Sequence, residues 1–306
     1  MNDSLKKYLF EDKTVKLQAV RLHDTWREAQ VHHDYPPAVQ RMLGELVAAA
    51  TLLAANLKFD GSLVMQLQGD GPVSLLVVEC RADLSIRATV KLRQDFVVPD
   101  TGNVRTLINP TGTGRFMVIL DPARKVPGQQ AYQGIVPLES DSVAKVLELY
   151  MSASEQLDTR LFLSADKDFA AGLLLQRLPE TGGRTGDIKE GESTWSRVCV
   201  LADTIRPQEL IETDPETMVH RLFWDETLMV FDPVPVRWFC SCSRERIADM
   251  LRMLGAAEIE SILEERDDVE VNCEFCGKPY RFDAVDCASL FVQQATLPVQ
   301  DPPTRH

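Results

Sequence analysis

The sequence contains no run of about 18 uninterrupted apolar residues, so nothing in it reads as a membrane span. Its first stretch, MNDSLKKYLFEDKTVKLQAV, has no apolar segment of signal-peptide length, because acidic residues interrupt it at once. Positive charge is scarce: 33 Lys and Arg stand against 46 Asp and Glu, a formal net charge of −13. That balance argues against a protein whose main task is gripping phosphate backbones. No glycine-rich stretch ends in the Lys-Ser/Thr of a phosphate loop, neither Thr111–Arg115 nor Thr181–Gly186. There is no HExxH and no serine on a nucleophile elbow, and Ser152 and Ser154 fall in a helical pattern. These absences predict a cytoplasmic protein in a reducing compartment, with no ATP site, no nucleic-acid partner and no membrane partner.

What is present is enough for a real core. The 306 residues are 44% hydrophobic, room for two domains of about 150 residues each. Residues Tyr35–Phe59 are apolar on nearly every side after Pro37, which predicts a helix buried between layers. Ser62–Gly69 and Val73–Cys80 read as strands joined by the turn Gly69–Pro72. Ser85–Leu92 alternates with Ile86, Ala88, Val90 and Leu92 on one face, and Arg115–Leu120 is a further strand. Asp141–Leu157 reads as an amphipathic helix capped by Asp141 or Ser142, followed by strand and core in Thr159–Asp166 and Ala171–Leu178. Strands around central helices without strict alternation predict an α+β fold.

Pro179–Trp195 holds four glycines and, before Trp195, one aliphatic residue, Ile188, so it predicts a boundary or hinge. Residues 195–238 regain short helical stripes. One of them begins with Asp214 as a cap and Pro215 in the first turn. Val198, Leu201, Ile205, Leu210, Ile211, Val219, Leu222 and Phe223 do not amount to a self-sufficient core. These pieces must lie on something else, and marginal elements of this kind open readily.

Cysteine carries the chemistry. Cys240-x-Cys242 and Cys273-x-x-Cys276 are separated by thirty residues, while Cys80, Cys199 and Cys287 are isolated. Each isolated thiol reads as a small buried hydrophobe. Four paired thiols in a reducing compartment read as a metal site or a redox site. About fifty residues seldom sustain a core alone. A tetrahedral zinc held by Cys240, Cys242, Cys273 and Cys276 would supply what is missing, and four protein ligands leave no open position for hydrolytic water. Ser243 predicts the cap of a helix running to Leu254 with Gly255 as its stop, and the start of that helix with Arg244 and Arg246 favours thiolates. Residues 256–266 form a second helix, and the Cys273–Cys276 knuckle is the turn of a hairpin. Thiolates on zinc remain oxidisable, and a domain folded by its metal unfolds without it. His23, His32, His33 and Asp34 read as a solvated loop.

The cysteine pattern resembles the redox-regulated heat shock protein 33 chaperones, and the similarity runs along nearly the whole chain. It includes Tyr35–Glu79, Tyr132–Leu138, Tyr150–Leu157, Leu173–Pro179, Leu222–Glu226 and Cys240–Arg246. The resemblance implies that the four cysteines bind one zinc per chain when reduced. It implies that oxidation forms the disulfides Cys240–Cys242 and Cys273–Cys276, releases the zinc, unfolds the switch and loosens the middle segment. The exposed surface then holds unfolding client proteins without ATP, and the active form is a homodimer. The organisation so implied is an α+β core for dimerisation and substrate holding (1–178), a hinge and metastable linker (179–238), a zinc-binding redox switch (239–290) and a disordered tail (291–306).

Two other readings compete. A static zinc adapter for proteins would be indifferent to oxidant. An adapter for nucleic acid is disfavoured, because Phe239–Asp286 carries six Lys or Arg against twelve Asp or Glu, a net of −6. A thiol-disulfide oxidoreductase would place Cys273 and Cys276 at a helix start in a βαβ context, whereas here they lie between short strands. The chain is therefore expected not to be an enzyme.

Overall fold

The computed structural model describes residues 3–124, 131–179 and 187–292, with the backbone alone for 187–193 and 292. The glycine-rich part of the expected hinge (180–186) and residues 293–306 of the expected disordered tail lie outside the described residues, whereas residues 291 and 292 of that tail end a helix. The chain divides into two compact units between Phe239 and Cys240.

The first unit is mixed α and β. The predicted all-apolar helix is α2 (Pro37–Ala54), with a proline in its first turn. It lies between two sheets and packs on strands of both. One sheet runs β10 (Leu228–Val230), β1 (Ser4–Phe10), β2 (Val15–Leu22), β9 (Ala170–Arg177), β8 (Thr159–Ala165), and β11 (Val234–Pro235) also pairs with β1. The other runs β12 (Arg237–Trp238), β5 (Ser85–Leu92), β4 (Val73–Arg81), β3 (Gly61–Gln68), β6 (Arg115–Pro122), β7 (Tyr132–Pro137). Strand β12 runs parallel to β5, and the other pairs are antiparallel. Leu43, Leu46, Val47 and Leu52 of α2 are fully buried among Leu67, Leu76 and Val78 on one side and Val20 and Leu174 on the other. Helix and sheet approach closely at Gly44, where a Cβ would stand 2.4 Å from that of Ala165, so only glycine fits. The same unit contains α1 (Asp24–Gln30), α3 (Val104–Leu107) and α4 (Val143–Ser154). Ser142 caps α4 by accepting from the Lys145 amide.

Strand β9 explains where the middle segment goes. Its residues are buried from Ala170 through Gln176 without alternation, the mark of a strand covered on both faces. Ala170 and Leu174 face α2, whereas Ala171, Leu173 and Leu175 belong to a second cluster on the opposite face with Tyr8, Phe10, Val15, Leu17 and Ala19. That outer face is covered by Val198 and Ala202 of α5 (Asp187–Ala202), Leu210 of α6 (Pro207–Glu212), and Met218, Val219 and Phe223 at α7 (Pro215–Leu222). Phe10 and Phe223 meet edge to face at 5.5 Å. Asp214 caps α7, accepting from the amides of Glu216 (2.9 Å) and Thr217 (3.3 Å). Helix α5 begins at Asp187 instead of Trp195, so its first turns come from residues whose glycine and acid content predicts a hinge.

In the second unit, α8 (Arg244–Leu254) starts at a Ser243 cap and stops at Gly255, and α9 (Ala256–Glu265) follows. A hairpin of β13 (Asp268–Asn272) and β14 (Pro279–Asp283) leads into α10 (Ala284–Val292). The core is small: Ala248, Leu251, Ile259, Val269, Tyr280, Phe282, Cys287 and Leu290 are its buried residues.

Candidate metal centre

Cys240 and Cys242 lie in the loop before α8, and the Ser243 hydroxyl accepts from the Arg246 amide at 3.3 Å just beyond them. Arg246 donates to the Ser241 carbonyl at 2.9 Å, which pins the turn between the two thiols. Cys273 and Cys276 occupy the hairpin turn. The Cys273 amide donates to the Lys278 carbonyl (3.0 Å) and the Gly277 amide to the Cys273 carbonyl (2.8 Å). Gly277 has φ +68°, a backbone conformation that glycine adopts without strain.

The two turns bring all four sulfurs within 4.8 Å of one another. Cys240 Sγ is 3.6 Å from Cys273 Sγ, and Cys242 Sγ is 3.4 Å from Cys276 Sγ. These separations exceed a disulfide bond of about 2.05 Å, and all seven cysteines are free thiols. They are close to the edge of roughly 3.8 Å that four sulfurs adopt around a metal at about 2.3 Å. A cluster of four soft donors at tetrahedral spacing fits a zinc ion.

The electrostatics differ from thiol to thiol. Burial pushes the Cys240 thiol up, and burial together with hydrogen bonding to the other thiols raises Cys276 well above the ordinary range. Burial is also the largest single influence on Cys242, but a 3.1 Å hydrogen bond from the Tyr280 hydroxyl and contacts with the three other thiols outweigh it and lower its pKa. Burial and then Cys242 raise Tyr280, which keeps its hydroxyl a donor. Arg244 is engaged elsewhere. Its guanidinium meets the Arg281 carbonyl (2.7 Å) and Asp286 (2.6 Å), and stacks 4.1 Å from the Phe282 ring. The influence expected of this arginine on the thiols thus falls to Tyr280, which sequence reasoning missed. Alternation along β14 marks Tyr280 and Phe282 as inward-facing, but nothing in the sequence marks the hydroxyl's partner.

The remaining candidates fall apart. Cys80 is fully buried in β4 and Cys287 is buried in α10 with its sulfur 3.8 Å from the Phe282 carbonyl. Cys199 is half-buried on α5, and burial raises its thiol to about 11. His23 pairs with Asp24 at 2.7 Å and His33 stacks on Tyr35. Thr111 bonds Asp70, Ser152 and Ser154 are exposed on α4, and Thr181–Gly186 lies outside the described residues. Among the described residues, the four cysteines are the one group of three or more His, Cys, Asp or Glu whose ligand atoms converge.

Comparison with known proteins agrees with this architecture. The family model described as Hsp33 protein matches residues 3–283. The 33 kDa chaperonin of Methylobacillus flagellatus is 41% identical over 302 residues, covering 98% of each chain. That of Chromobacterium violaceum is 42% identical over 290 residues, covering 95% of this chain and 94% of its own. The crystal structure of a 33 kDa chaperonin (heat shock protein 33 homolog) from Thermotoga maritima shares the fold at 21% identity. It has a TM-score of 0.75, covering 95% of this chain and 99% of that one.

Proposed function

The chain belongs to the Hsp33 family, and from that premise we propose that it is a redox-regulated, ATP-independent holding chaperone and not an enzyme. In the reduced form Cys240, Cys242, Cys273 and Cys276 hold one zinc. The bound ion supplies a cross-link whose binding energy is folding energy for a unit with few buried residues. With four protein ligands the site offers no position for catalytic water.

Oxidation removes the donors. Cys240 pairs with Cys242 and Cys273 with Cys276, each pair of thiolates giving up two electrons to an oxidant such as a peroxide, which takes two protons from solvent and leaves as water. The second unit then lacks both its metal and a sufficient core, and it unfolds. The observation that carries the rest is the outer face of the first sheet. Its apolar residues Tyr8, Phe10, Leu17, Leu173 and Leu175 are covered by the end of α5 and the short helices α6 and α7. That covering segment ends in two-residue pairings of Val234–Pro235 with β1 and Arg237–Trp238 with β5, immediately before Cys240. Loss of order from Cys240 onward frays these last anchors, the cover lifts, and the face beneath binds unfolding proteins. The working form is a cytoplasmic homodimer. No helix among the described residues is long and apolar enough to cross a membrane, and the acidic balance disfavours nucleic acid.

The test is to treat the reduced, zinc-loaded protein with peroxide at elevated temperature. Metal release and suppression of aggregation of an unfolding test protein are followed together. About one zinc released per chain, with holding activity that appears in step and disappears on thiol reduction, supports the switch. Zinc that stays, or leaves without any gain in holding activity, favours a static adapter.

A further inference from the structure

Tyr280 lies on β14 with its ring buried, four residues beyond Cys276 in the same hairpin. Its hydroxyl crosses to the other half of the centre and donates to Cys242 Sγ at 3.1 Å. The ammonium of Lys278 lies 5.5 Å from the Tyr280 ring centroid. A metal-bound thiolate keeps lone pairs that can accept such a bond. Donation to sulfur withdraws electron density, and a sulfur engaged in this way is a weaker nucleophile. A partner outside the ligand set fixes the orientation of the ligand it touches. Tyr280 therefore joins the Cys240–Cys242 turn to the Cys273–Cys276 hairpin through a bond that does not run through the metal.

We propose that Tyr280 is a positioning residue of the metal centre, whose hydroxyl bonds and orients the Cys242 sulfur and slows its oxidation. This rests on the zinc reading above. It adds a built-in brake on the Cys240–Cys242 pair, set by a residue that is not itself a ligand.

The test uses the full-length chain as wild type, Tyr280→Phe and Phe282→Leu. Tyr280→Phe keeps the buried ring and removes the donor. Phe282→Leu disturbs the same core without touching the sulfur. Each is loaded with zinc, or with cobalt(II) as a spectroscopic substitute. In Tyr280→Phe the metal affinity, read by competition with a chelator, should fall about tenfold to a hundredfold. The cobalt–thiolate charge-transfer band should move to longer wavelength, and metal loss at a fixed peroxide concentration should speed up. Phe282→Leu should lower thermal stability and leave the band in place. An unchanged band with affinity within twofold of wild type would overturn the assignment, as would an equal band shift in Phe282→Leu. A wild-type chain that binds neither metal would instead overturn the metal-centre reading itself.

Discussion

The sheet built from β1, β2, β8 and β9 is covered on both faces, but by different means. On the inner face lies α2, an 18-residue helix pressed between two sheets, whose buried side chains interlock with strands on both sides. On the outer face lie helices of six and eight residues and the end of α5, with solvent behind them. Exposed ion pairs such as Lys6–Glu216 and Arg197–Glu226 add little to that cover, since such pairs are worth about 0–1 kcal/mol. Helices this short are not stable alone, so their order derives from docking. One strand thus belongs to the inner core through Leu174 and to the outer cluster through Leu173, its neighbour in sequence.

The largest expected effect lies in the second unit. Cys273→Ser combined with Cys276→Ser removes two of the four proposed ligands, from a site of a type worth about 10–16 kcal/mol when filled. Amides of Val269, Tyr280 and Phe282 should lose their protection from hydrogen exchange while those of α2 keep theirs. Protection retained in both regions would mean that the small core stands without metal.

The contrast between the two faces is sharpened by a pair of adjacent substitutions, each expected to cost about 2–5 kcal/mol. Leu174→Ala should lower the global stability of the first unit, read by denaturant unfolding. Leu173→Ala should act locally, speeding exchange in α6 and α7 while the strands around α2 remain protected. The same exchange pattern from both would merge the two faces into one core.

These faces also show what a sequence can and cannot reveal. The inner helix is legible because Pro37–Ala54 is apolar all round, and the cysteine cluster because Cys-x-Cys and Cys-x-x-Cys are paired at short spacing. The outer cover is visible only as stripes without a partner. Val198, Leu210, Val219 and Phe223 meet Tyr8, Phe10 and Leu173, which are distant in the chain, and no local pattern encodes that meeting. Strand β1 goes unmarked because Lys6 and Lys7 interrupt its apolar residues. The structure ties Lys6 to Glu216 and Lys7 to the Ala55 carbonyl. Helix α5 starts within a glycine-containing stretch whose composition argues against it.

The smallest effect expected is at the cap of α7. Asp214→Ala removes the acceptor for the Glu216 and Thr217 amides and should cost about 1 kcal/mol. If α7 belongs to a marginal cover, that loss should speed exchange in residues 215–223 and lower the oxidant exposure needed for holding activity. A change confined to overall stability would place α7 in the permanent core.

The most direct measurement is hydrogen exchange along the full chain before and after peroxide treatment at elevated temperature, with bound zinc assayed in the same samples. As zinc is lost, the amides of α6, α7 and the second unit should become rapidly exchanging while α2 and the strands around it stay protected. Zinc loss with α6 and α7 still protected would contradict the proposed switch, because the outer face would then remain covered when the protein is meant to hold its clients.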